Sequence, residues 1–307
     1  MENVAIIGRG IIGSSWALVF ARAGLNISIW DRTGHGEAKI LSDLQETATS
    51  MVGTSYAVPP EAFVRVQVHR ELRDVLRGAT YIQESAPEDI GLKRELLHHI
   101  AEAADPGAII ASSTSGLRPS EMADGIVARD RFLVVHPLTP PHLLPLTEIV
   151  PSTFTSGEAI ERTCAFMTEV GQVPVRLFRE TPGFFANRIL GAMLNEFFHL
   201  VREEVIHPQD VDTIITQGFG LRWACMGPLA AMDLNAPGGV ADYLSRYGSI
   251  FENVARERNA SCALDDALIR KVSDALRADH PLAASPTRAA ARDQAIAHLR
   301  SVRTVVT

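Results

Sequence analysis

The stretch VAIIGRGIIGSSWALVFARAG, residues 4–24, decides which fold the sequence is expected to adopt. A short β-branched run leads into Gly8-Arg-Gly10-Ile-Ile-Gly13, and a helical pattern follows directly. In such a strand–turn–helix unit the first glycine permits the tight turn and the second lets the backbone approach a pyrophosphate. The third permits close packing of the helix on the strand, and the helix N-terminus presents unpaired N–H groups to an anion. Gly8, Gly10 and Gly13 therefore predict a dinucleotide-binding site.

An acidic residue at the end of the second predicted strand bears on the choice of dinucleotide. Asp31 lies 18 residues after Gly13, close to the spacing of the acid that binds the ribose hydroxyls in this motif. A carboxylate there hydrogen-bonds a free 2′-hydroxyl and repels a 2′-phosphate, although the neighbouring Arg32 is able to accommodate a phosphate. The sequence therefore predicts NAD rather than NADP.

The wider pattern of apolar runs predicts the fold class. Short β-branched runs alternate with helical patterns through the first two-thirds of the chain, which favours a parallel sheet covered on both faces. From about residue 183 the strand signals stop, and helical patterns such as FFANRILGAMLNEFFHLVREE continue to the end. We expect an α/β fold, with a Rossmann-type doubly wound sheet followed by an all-α C-terminal domain. The predicted strands are residues 4–7, 27–30, 81–84, 108–111, 132–135 and 147–150.

The change of pattern also predicts the domain boundary. Pro182 and Gly183 punctuate the chain where the strand signals end. We therefore expect an NAD-binding domain over residues 1–182 and a helical domain over residues 183–307 that binds substrate and forms a homodimer.

Composition excludes several classes of protein. A formal charge of −7 over 307 residues lacks the basic footprint of a nucleic-acid-binding surface. No apolar run approaches the ~20 residues needed to span a bilayer, and the N-terminus has no secretory pattern. The three cysteines form no CxxC pair, which indicates reduced thiols. These features predict a cytoplasmic protein without nucleic-acid or membrane partners.

A second informative segment is VVHPLTPPHLLPLTEIVP, residues 134–151. His136 ends one apolar run and Glu148 lies in the next, with prolines between them. One interpretation is a tight structural corner. The other is a catalytic base, because hydride transfer from an alcohol carbon requires a group that takes the hydroxyl proton. In that case Glu148 would orient the imidazole, and Ser115 with the amide of Asn187 would hydrogen-bond the reacting oxygen.

The combined motifs resemble the 3-hydroxyacyl-CoA dehydrogenase family over nearly the whole chain. Within it, the likeness is greatest to the lambda-crystallin branch, whose enzymatic members are L-gulonate 3-dehydrogenases. The segments that carry the resemblance are VAIIGRGIIGSSWALVFARAG, IQESAPED, ASSTSGLRPS, HPLTPPHLLPLTEIVP, PGFFANRI and GLRWACMGPLAAMDLNAPGG.

The resemblance assigns roles to individual residues. It implies that His136 is the base, that Glu148 is its partner, and that Ser115 and Asn187 contact the substrate. A departure from the family pattern is Thr139, which stands where an asparagine is usual in the loop after the histidine, and the fine substrate geometry depends on this position. The implied NAD neighbours are Ile11, Ile12, Asp31, Glu88 and Lys93, although a charged pair at a helix entrance such as Glu88 and Lys93 is often only solvated capping.

The resemblance also implies that Arg222, in GLRWACMGP, is present in this branch and absent from fatty-acyl-CoA members, which suggests the substrate. A guanidinium is able to bind a small free carboxylate through two hydrogen bonds, although a salt bridge within the protein is the alternative. We therefore expect an NAD-dependent dehydrogenase of a small L-3-hydroxy acid of the L-gulonate type, with no metal requirement. The alternatives are a 3-hydroxyacyl-CoA or carnitine-like dehydrogenase, and a non-catalytic NAD-binding protein of the crystallin kind.

Overall fold

The computed structural model describes residues 2–30, 36–54, 56–257 and 261–302. The chain forms two compact units. The first comprises Met1–Arg188 with Asp293–Ser301, and the second comprises Ile189–Arg292 with Val302–Thr307. The division between the units falls after Arg188, within a helix. The sequence pattern changes at residues 182–183, and the domain boundary between those two residues remains a prediction.

The first unit is built on one eight-stranded sheet. Its strands β1 to β8 are Asn3–Ile7, Asn26–Trp30, Val66–His69, Tyr81–Glu84, Ile109–Ser112, Phe132–Pro137, Leu146–Pro151 and Val173–Arg176. The strand order is β3-β2-β1-β4-β5-β6-β7-β8. All neighbouring strands are parallel except β6 and β7, which pair antiparallel. This confirms the doubly wound α/β sheet that the sequence predicts.

Helices connect these strands and cover the sheet. Strand β1 continues through the glycine turn into the first helix, as residues 4–24 predict. The helices α1 to α6 are Ile11–Arg22, Glu37–Ala48, Leu72–Leu76, Ile90–Ala103, Pro119–Met122 and Gly157–Glu169.

The two edge strands, β3 and β8, are absent from the sequence prediction. Each has four residues, and the side chains of β8 are largely exposed. An edge strand pairs on one side only, and neither short segment shows the buried apolar run that marks the six central strands. The pattern of apolar residues therefore predicts the six central strands and does not predict the two edge strands.

The core lies on both faces of the sheet. Alternate residues of β1 point to opposite faces, so that Val4 and Ile6 join one apolar cluster while Ala5 and Ile7 join the other. The first cluster includes the Trp16 side chain of α1, which is fully buried. Burial on both faces explains why the central strands read as continuous apolar runs.

The second unit is helical, as predicted. A small core of buried Val201, Cys262 and Leu268 lies within it. In the described part of the chain, none of the helices combines the length and the apolar character that a membrane span requires. A π-helical turn, Ile215–Phe219, separates the second and third helices. The helices α7 to α13 are Ala186–Arg202, Pro208–Ile214, Gly220–Trp223, Pro228–Leu234, Gly239–Glu257, Asp266–Asp279 and Ser285–Val302.

Part of the last helix, α13, belongs to the first unit. Residues 293–301 are grouped with the sheet domain, and the side chain of Ala297 is fully buried in its larger apolar cluster. The chain therefore returns to the sheet domain after passing through most of the helical unit.

Candidate active site

The glycine turn after β1 has the geometry that its sequence predicts. Gly8 has a φ of 99°, a conformation that favours glycine, and a Cβ at this position would lie 2.7 Å from the carbonyl oxygen of Ser85. A Cβ on Gly13 would lie 1.9 Å from the carbonyl oxygen of Gly8. Glycine at these two positions is therefore required for α1 to pack closely against the turn.

The surface around Gly10 fits a dinucleotide. A Cβ at Gly10 would meet no described atom within 4 Å, so the backbone is open to an incoming group. Gly10 is the N-cap of α1 and provides no side-chain cap, while the neighbouring Ile11 side chain is 77% exposed. Uncapped N–H groups beside an open backbone suit a pyrophosphate. Ile12 follows in the first turn of α1, and Asp31 lies outside the described residues.

The strand pair β6–β7 brings His136 and Glu148 together. The antiparallel register places the two residues directly opposite each other, so both side chains lie on the same face of the sheet. Nδ1 of His136 lies 2.8 Å from Oε2 of Glu148. The two side chains are 6% and 2% exposed, and the pair is therefore shielded from bulk water.

The second oxygen of the Glu148 carboxylate is bound by the start of α7. Oε1 accepts hydrogen bonds from the backbone N–H groups of Phe185 (2.8 Å) and Ala186 (3.1 Å). Phe184 has a φ of 53°, which is uncommon for a bulky residue. The centroid of its buried ring lies 5.5 Å from the centroid of the His136 ring. The backbone turn at Phe184 thus directs two N–H groups at the carboxylate. The segment PGFFANRI is among the motifs of the predicted site, but its sequence does not indicate these N–H donors.

Hydrogen bonds keep Glu148 ionised in spite of its burial. Burial alone raises the pKa of Glu148, but the hydrogen bonds from His136, Phe185 and Ala186 outweigh it and hold the pKa below its ordinary value. An ionised carboxylate only accepts hydrogen bonds. Nδ1 of His136 must therefore carry the proton, which leaves the lone pair of a neutral imidazole on Nε2.

Ser115, Asn187 and Glu88 also lie together. The side-chain Nδ2 of Asn187 donates to the backbone carbonyl oxygen of Ser115 at 2.6 Å. Oε1 of Glu88 accepts from the backbone N–H of Ser115 (2.9 Å) and from the hydroxyl of Thr114 (2.5 Å). The hydroxyl of Ser115 has no hydrogen-bond partner among the described residues, and its residue is exposed.

Lys93 is not solvated but buried, and its principal partner is a residue that sequence reasoning missed. Its Nζ lies 2.8 Å from Oε1 of Glu84 and 3.7 Å from Oε2 of Glu88. The other oxygen of Glu84 accepts from Ser112 Oγ at 2.5 Å. Glu84 ends β4 within the quoted segment IQESAPED, and a lone acid ending a buried strand is the signal that points to such a partner.

The two groups of residues are connected through the chain at the start of α7. Ala186 donates its N–H to Glu148, and the next residue, Asn187, bonds Ser115. Two adjacent residues, Ala186 and Asn187, thus connect the His136–Glu148 pair to the group that contains Ser115 and Glu88.

Two domains of a known family match most of the chain. The domain described as 3-hydroxyacyl-CoA dehydrogenase, NAD binding domain, matches residues 3–181. The 3-hydroxyacyl-CoA dehydrogenase C-terminal domain matches residues 183–273. The chain belongs to the 3-hydroxyacyl-CoA dehydrogenase family. It is an NAD-dependent oxidoreductase that acts on CH–OH groups, which confirms the cofactor and the enzyme class predicted from the sequence.

Individual relatives agree with the branch that the sequence indicates. The chain is 36% identical over 278 residues to a lambda-crystallin homolog from Bos taurus, covering 89% of this chain and 86% of that protein. It is 36% identical over 250 residues to L-carnitine dehydrogenase/betainyl-CoA thioesterase from Ruegeria pomeroyi, covering 81% of this chain and 51% of that protein.

A solved structure is similar over the full length. The enzyme 5-formyl-3-hydroxy-2-methylpyridine 4-carboxylic acid 5-dehydrogenase, described as an NAD⁺-dependent dismutase, matches with a TM-score of 0.85 at 25% identity. The match covers 98% of this chain and 97% of that protein.

Two remaining positions are those that the sequence predicts to bear on substrate choice. Arg222 lies on α9 in the helical unit with an exposed side chain. Its guanidinium makes no hydrogen bond or ion pair with any described residue, so the alternative of an internal salt bridge has no support there. Thr139 is exposed in the loop between β6 and β7.

Proposed function

We propose that this dehydrogenase oxidises the 3-hydroxyl group of a small L-3-hydroxy acid of the L-gulonate type to the 3-oxo acid. The observation that carries the proposal is the hydrogen bond between His136 Nδ1 and Glu148 Oε2 at 2.8 Å. This bond leaves Nε2 of His136 available as a base. His136 lies near the carboxyl end of β6, and ligands of doubly wound sheets bind beyond the carboxyl ends of the strands.

His136 is the base in the proposed reaction. Its Nε2 takes the hydroxyl proton of the substrate while the carbon that bears the hydroxyl loses a hydride, so that a C=O bond replaces the C–H and O–H bonds. Bound NAD⁺ supplies the acceptor for the hydride. Protonation makes the imidazole cationic, and the ionised Glu148 stabilises that charge through Nδ1. The N–H groups of Phe185 and Ala186 hold the carboxylate in place.

Ser115 and Asn187 are proposed to hold the reacting oxygen. The exposed hydroxyl of Ser115 is able to donate to the developing carbonyl oxygen. Asn187 uses its amide N–H to fix the Ser115 backbone, so part of its contribution is to position Ser115. Gly8, Gly10, Gly13, Ile11 and Ile12 are proposed to bind NAD at the turn.

Two further groups are proposed to assist NAD binding on the β4 side. Glu88 is half exposed and organises the Ser115 loop. Lys93 is buried, and it contributes by fixing Glu88 and the end of β4 rather than as a free cation. Asp31 remains the predicted ligand of the ribose hydroxyls.

The free carboxylate of the substrate is proposed to be bound by Arg222. The guanidinium is exposed and has no carboxylate partner among the described residues, and it is able to form a bidentate pair with a small acid. The likeness to lambda-crystallin homologs agrees with the branch whose enzymatic members, by the sequence resemblance, are L-gulonate 3-dehydrogenases.

A carnitine-type substrate is the second candidate. Phe219 and Trp223, on either side of Arg222 in sequence, stack with ring centroids 5.2 Å apart, and both are partly exposed. Aromatic faces bind quaternary ammonium groups, so an arginine beside such a pair suits a 3-hydroxy acid that carries a trimethylammonium group. The relative in Ruegeria pomeroyi supports this candidate.

Turnover of three substrates with NAD⁺, followed by the absorbance of NADH, tests the proposal. L-Gulonate, L-carnitine and 3-hydroxybutyryl-CoA represent the three classes. We expect the free hydroxy acid L-gulonate to have the largest kcat/KM. Preference for the thioester would contradict the substrate class, and preference for L-carnitine would favour the second candidate. An Arg222→Ala variant should raise KM for the free acids and leave KM for NAD⁺ unchanged.

We further propose that the helical unit forms a homodimer. Helices α7 and α11 each carry several exposed apolar side chains, and exposed apolar surface commonly marks an association site. Light scattering at micromolar concentration should give the mass of two chains, and a monomer mass would contradict the proposal. The cytoplasmic location remains a prediction. The exposed apolar residues are Ile189, Leu190 and Leu194 on α7 and Leu244, Ile250, Phe251 and Val254 on α11.

A further inference from the structure

The loop of residues 138–145 joins the strands that carry His136 and Glu148. Its prolines lack N–H groups. Within residues 139–144 the backbone hydrogen bonds are local, such as that from Leu143 N to Pro140 O at 3.0 Å, and at the end of the loop Val173 N of β8 donates to Pro145 O at 2.8 Å. The path of this loop fixes how β6 and β7 enter their pairing. Contacts that hold the loop therefore bear on the His136–Glu148 geometry.

Two arginines from distant parts of the chain bind consecutive carbonyl groups of this loop. Nη1 of Arg22, at the end of α1, donates to the carbonyl oxygen of His142 at 3.1 Å. Nη1 of Arg300, near the end of α13, donates to the carbonyl oxygen of Leu143 at 3.1 Å. Carbonyl groups in a turn next to prolines have few backbone donors, so charged donors satisfy them well.

The two guanidinium groups share one aromatic platform. The Cζ atoms of Arg300 and Arg22 lie 3.7 and 5.6 Å from the ring centroid of Tyr56. Burial, and next the charge of Arg300, lower the pKa of Arg22 to about 10, so the Arg22 guanidinium remains charged at neutral pH. Two cations this close repel each other, and the carbonyl oxygens and the ring offset that repulsion.

The helix segment that carries Arg300 is anchored in the sheet domain. Ala297 is fully buried and Ile296 packs on the same apolar cluster. These residues lie beyond residue 273, where the match to the C-terminal domain of the family ends. The contact with the loop is therefore made by a part of the chain outside the residues that the two family domains match.

We propose that residues 293–301 form a positioning segment of the active site, and that Arg300 is a positioning residue that holds the loop between His136 and Glu148. The proposal rests on the proposed roles of those two residues. The alternative is that the segment contributes packing alone, without effect on the chemistry.

Arg300→Ala and Arg300→Lys test the proposal in the full-length chain, with Arg288→Ala as the matched control. Arg288 is an exposed residue of the same helix and has no partner among the described residues. We expect Arg300→Ala to lower kcat by roughly tenfold or more at a temperature well below its Tm, because small misplacements at a reacting centre are costly. KM for NAD⁺ should stay within about twofold, and Arg300→Lys should recover part of kcat because it keeps a charged donor.

The ¹⁵N resonances of the His136 imidazole provide a readout that does not depend on turnover. Loosening of the loop should change the Nδ1 signal in Arg300→Ala and leave it unchanged in Arg288→Ala. A lower Tm with kcat and the Nδ1 signal both unaltered would overturn the proposal and leave a packing role. If Arg300→Ala does not fold, Tyr56→Leu replaces it, because this variant removes the ring on which both guanidinium groups lie. We again expect a lower kcat and a changed Nδ1 signal, and the absence of both changes would overturn the proposal.

The two proposals fail in different ways. Full activity of His136→Ala would refute the proposed function, whereas the Nδ1 signal of His136 would still report whether Arg300 holds the loop.

Discussion

Nζ of Lys93 lies 2.8 Å from Oε1 of Glu84, and both side chains are almost completely buried. The pair links the end of β4 to the first turns of α4. It also places Lys93 next to Glu88, whose carboxylate binds the Ser115 loop. The role of Lys93 toward NAD is therefore proposed to be indirect.

Breaking this buried pair should be costly. Lys93→Met would leave the Glu84 carboxylate buried without its cation, and the free energy of unfolding should fall by about 3–5 kcal/mol. Urea denaturation measures the loss. The control is Lys39→Met, which removes the exposed i,i+4 pair with Asp43 and should cost no more than about 1 kcal/mol. Equal losses in the two variants would contradict the structural role of the buried pair.

Replacing the base should separate cofactor binding from chemistry. His136→Ala is expected to bind NADH with unchanged affinity, because the glycine turn is intact, and to lose at least about a hundredfold in kcat. Fluorescence titration with NADH and steady-state kinetics measure the two effects. Substantial activity in the variant would remove His136 from the mechanism.

Glu148 should contribute to stability in a pH-dependent way. Its pKa in the folded protein is lowered below the ordinary value of 4.5. The contribution of the carboxylate is therefore fully present above about pH 4.5 and is lost as pH falls through the lower, folded-state pKa. Below about pH 4.5 the difference in unfolding free energy between the wild type and Glu148→Gln should therefore shrink as pH falls. A difference that stays constant or grows as pH falls below about pH 4.5 would contradict the assignment.

The glycines of the turn should differ in their effects. Gly10→Ala is expected to fold normally, since the added methyl group meets no described atom within 4 Å, and to weaken NADH binding where the pyrophosphate approaches. Gly13→Ala should instead lower stability by about 1–3 kcal/mol or more, as overpacking does, because its methyl group would lie 1.9 Å from the Gly8 carbonyl oxygen. Thermal unfolding and NADH titration of both variants separate these effects. Unchanged NADH affinity in Gly10→Ala would contradict the cofactor site.

Much of this enzyme is determined locally in its sequence. The turn from Gly8 to Gly13 imposes its own backbone geometry, because a left-handed residue and two close approaches tolerate only glycine. The central strands are recognisable since burial on both faces demands continuous apolar runs. The positions of His136 and Glu148 on either side of a proline-rich loop likewise predicted that the two side chains interact. The antiparallel pairing of β6 and β7 brings them into contact.

Only the tertiary structure decided the partners of these residues. The edge strands β3 and β8, the burial of Lys93 against Glu84 and the N–H groups of Phe185 and Ala186 on Glu148 depend on segments far apart in sequence. The same holds for the return of residues 293–301 to the sheet domain. Local propensity carries no information on such contacts, because their stability comes from water excluded by packing between distant elements and from polar groups that must find partners once buried.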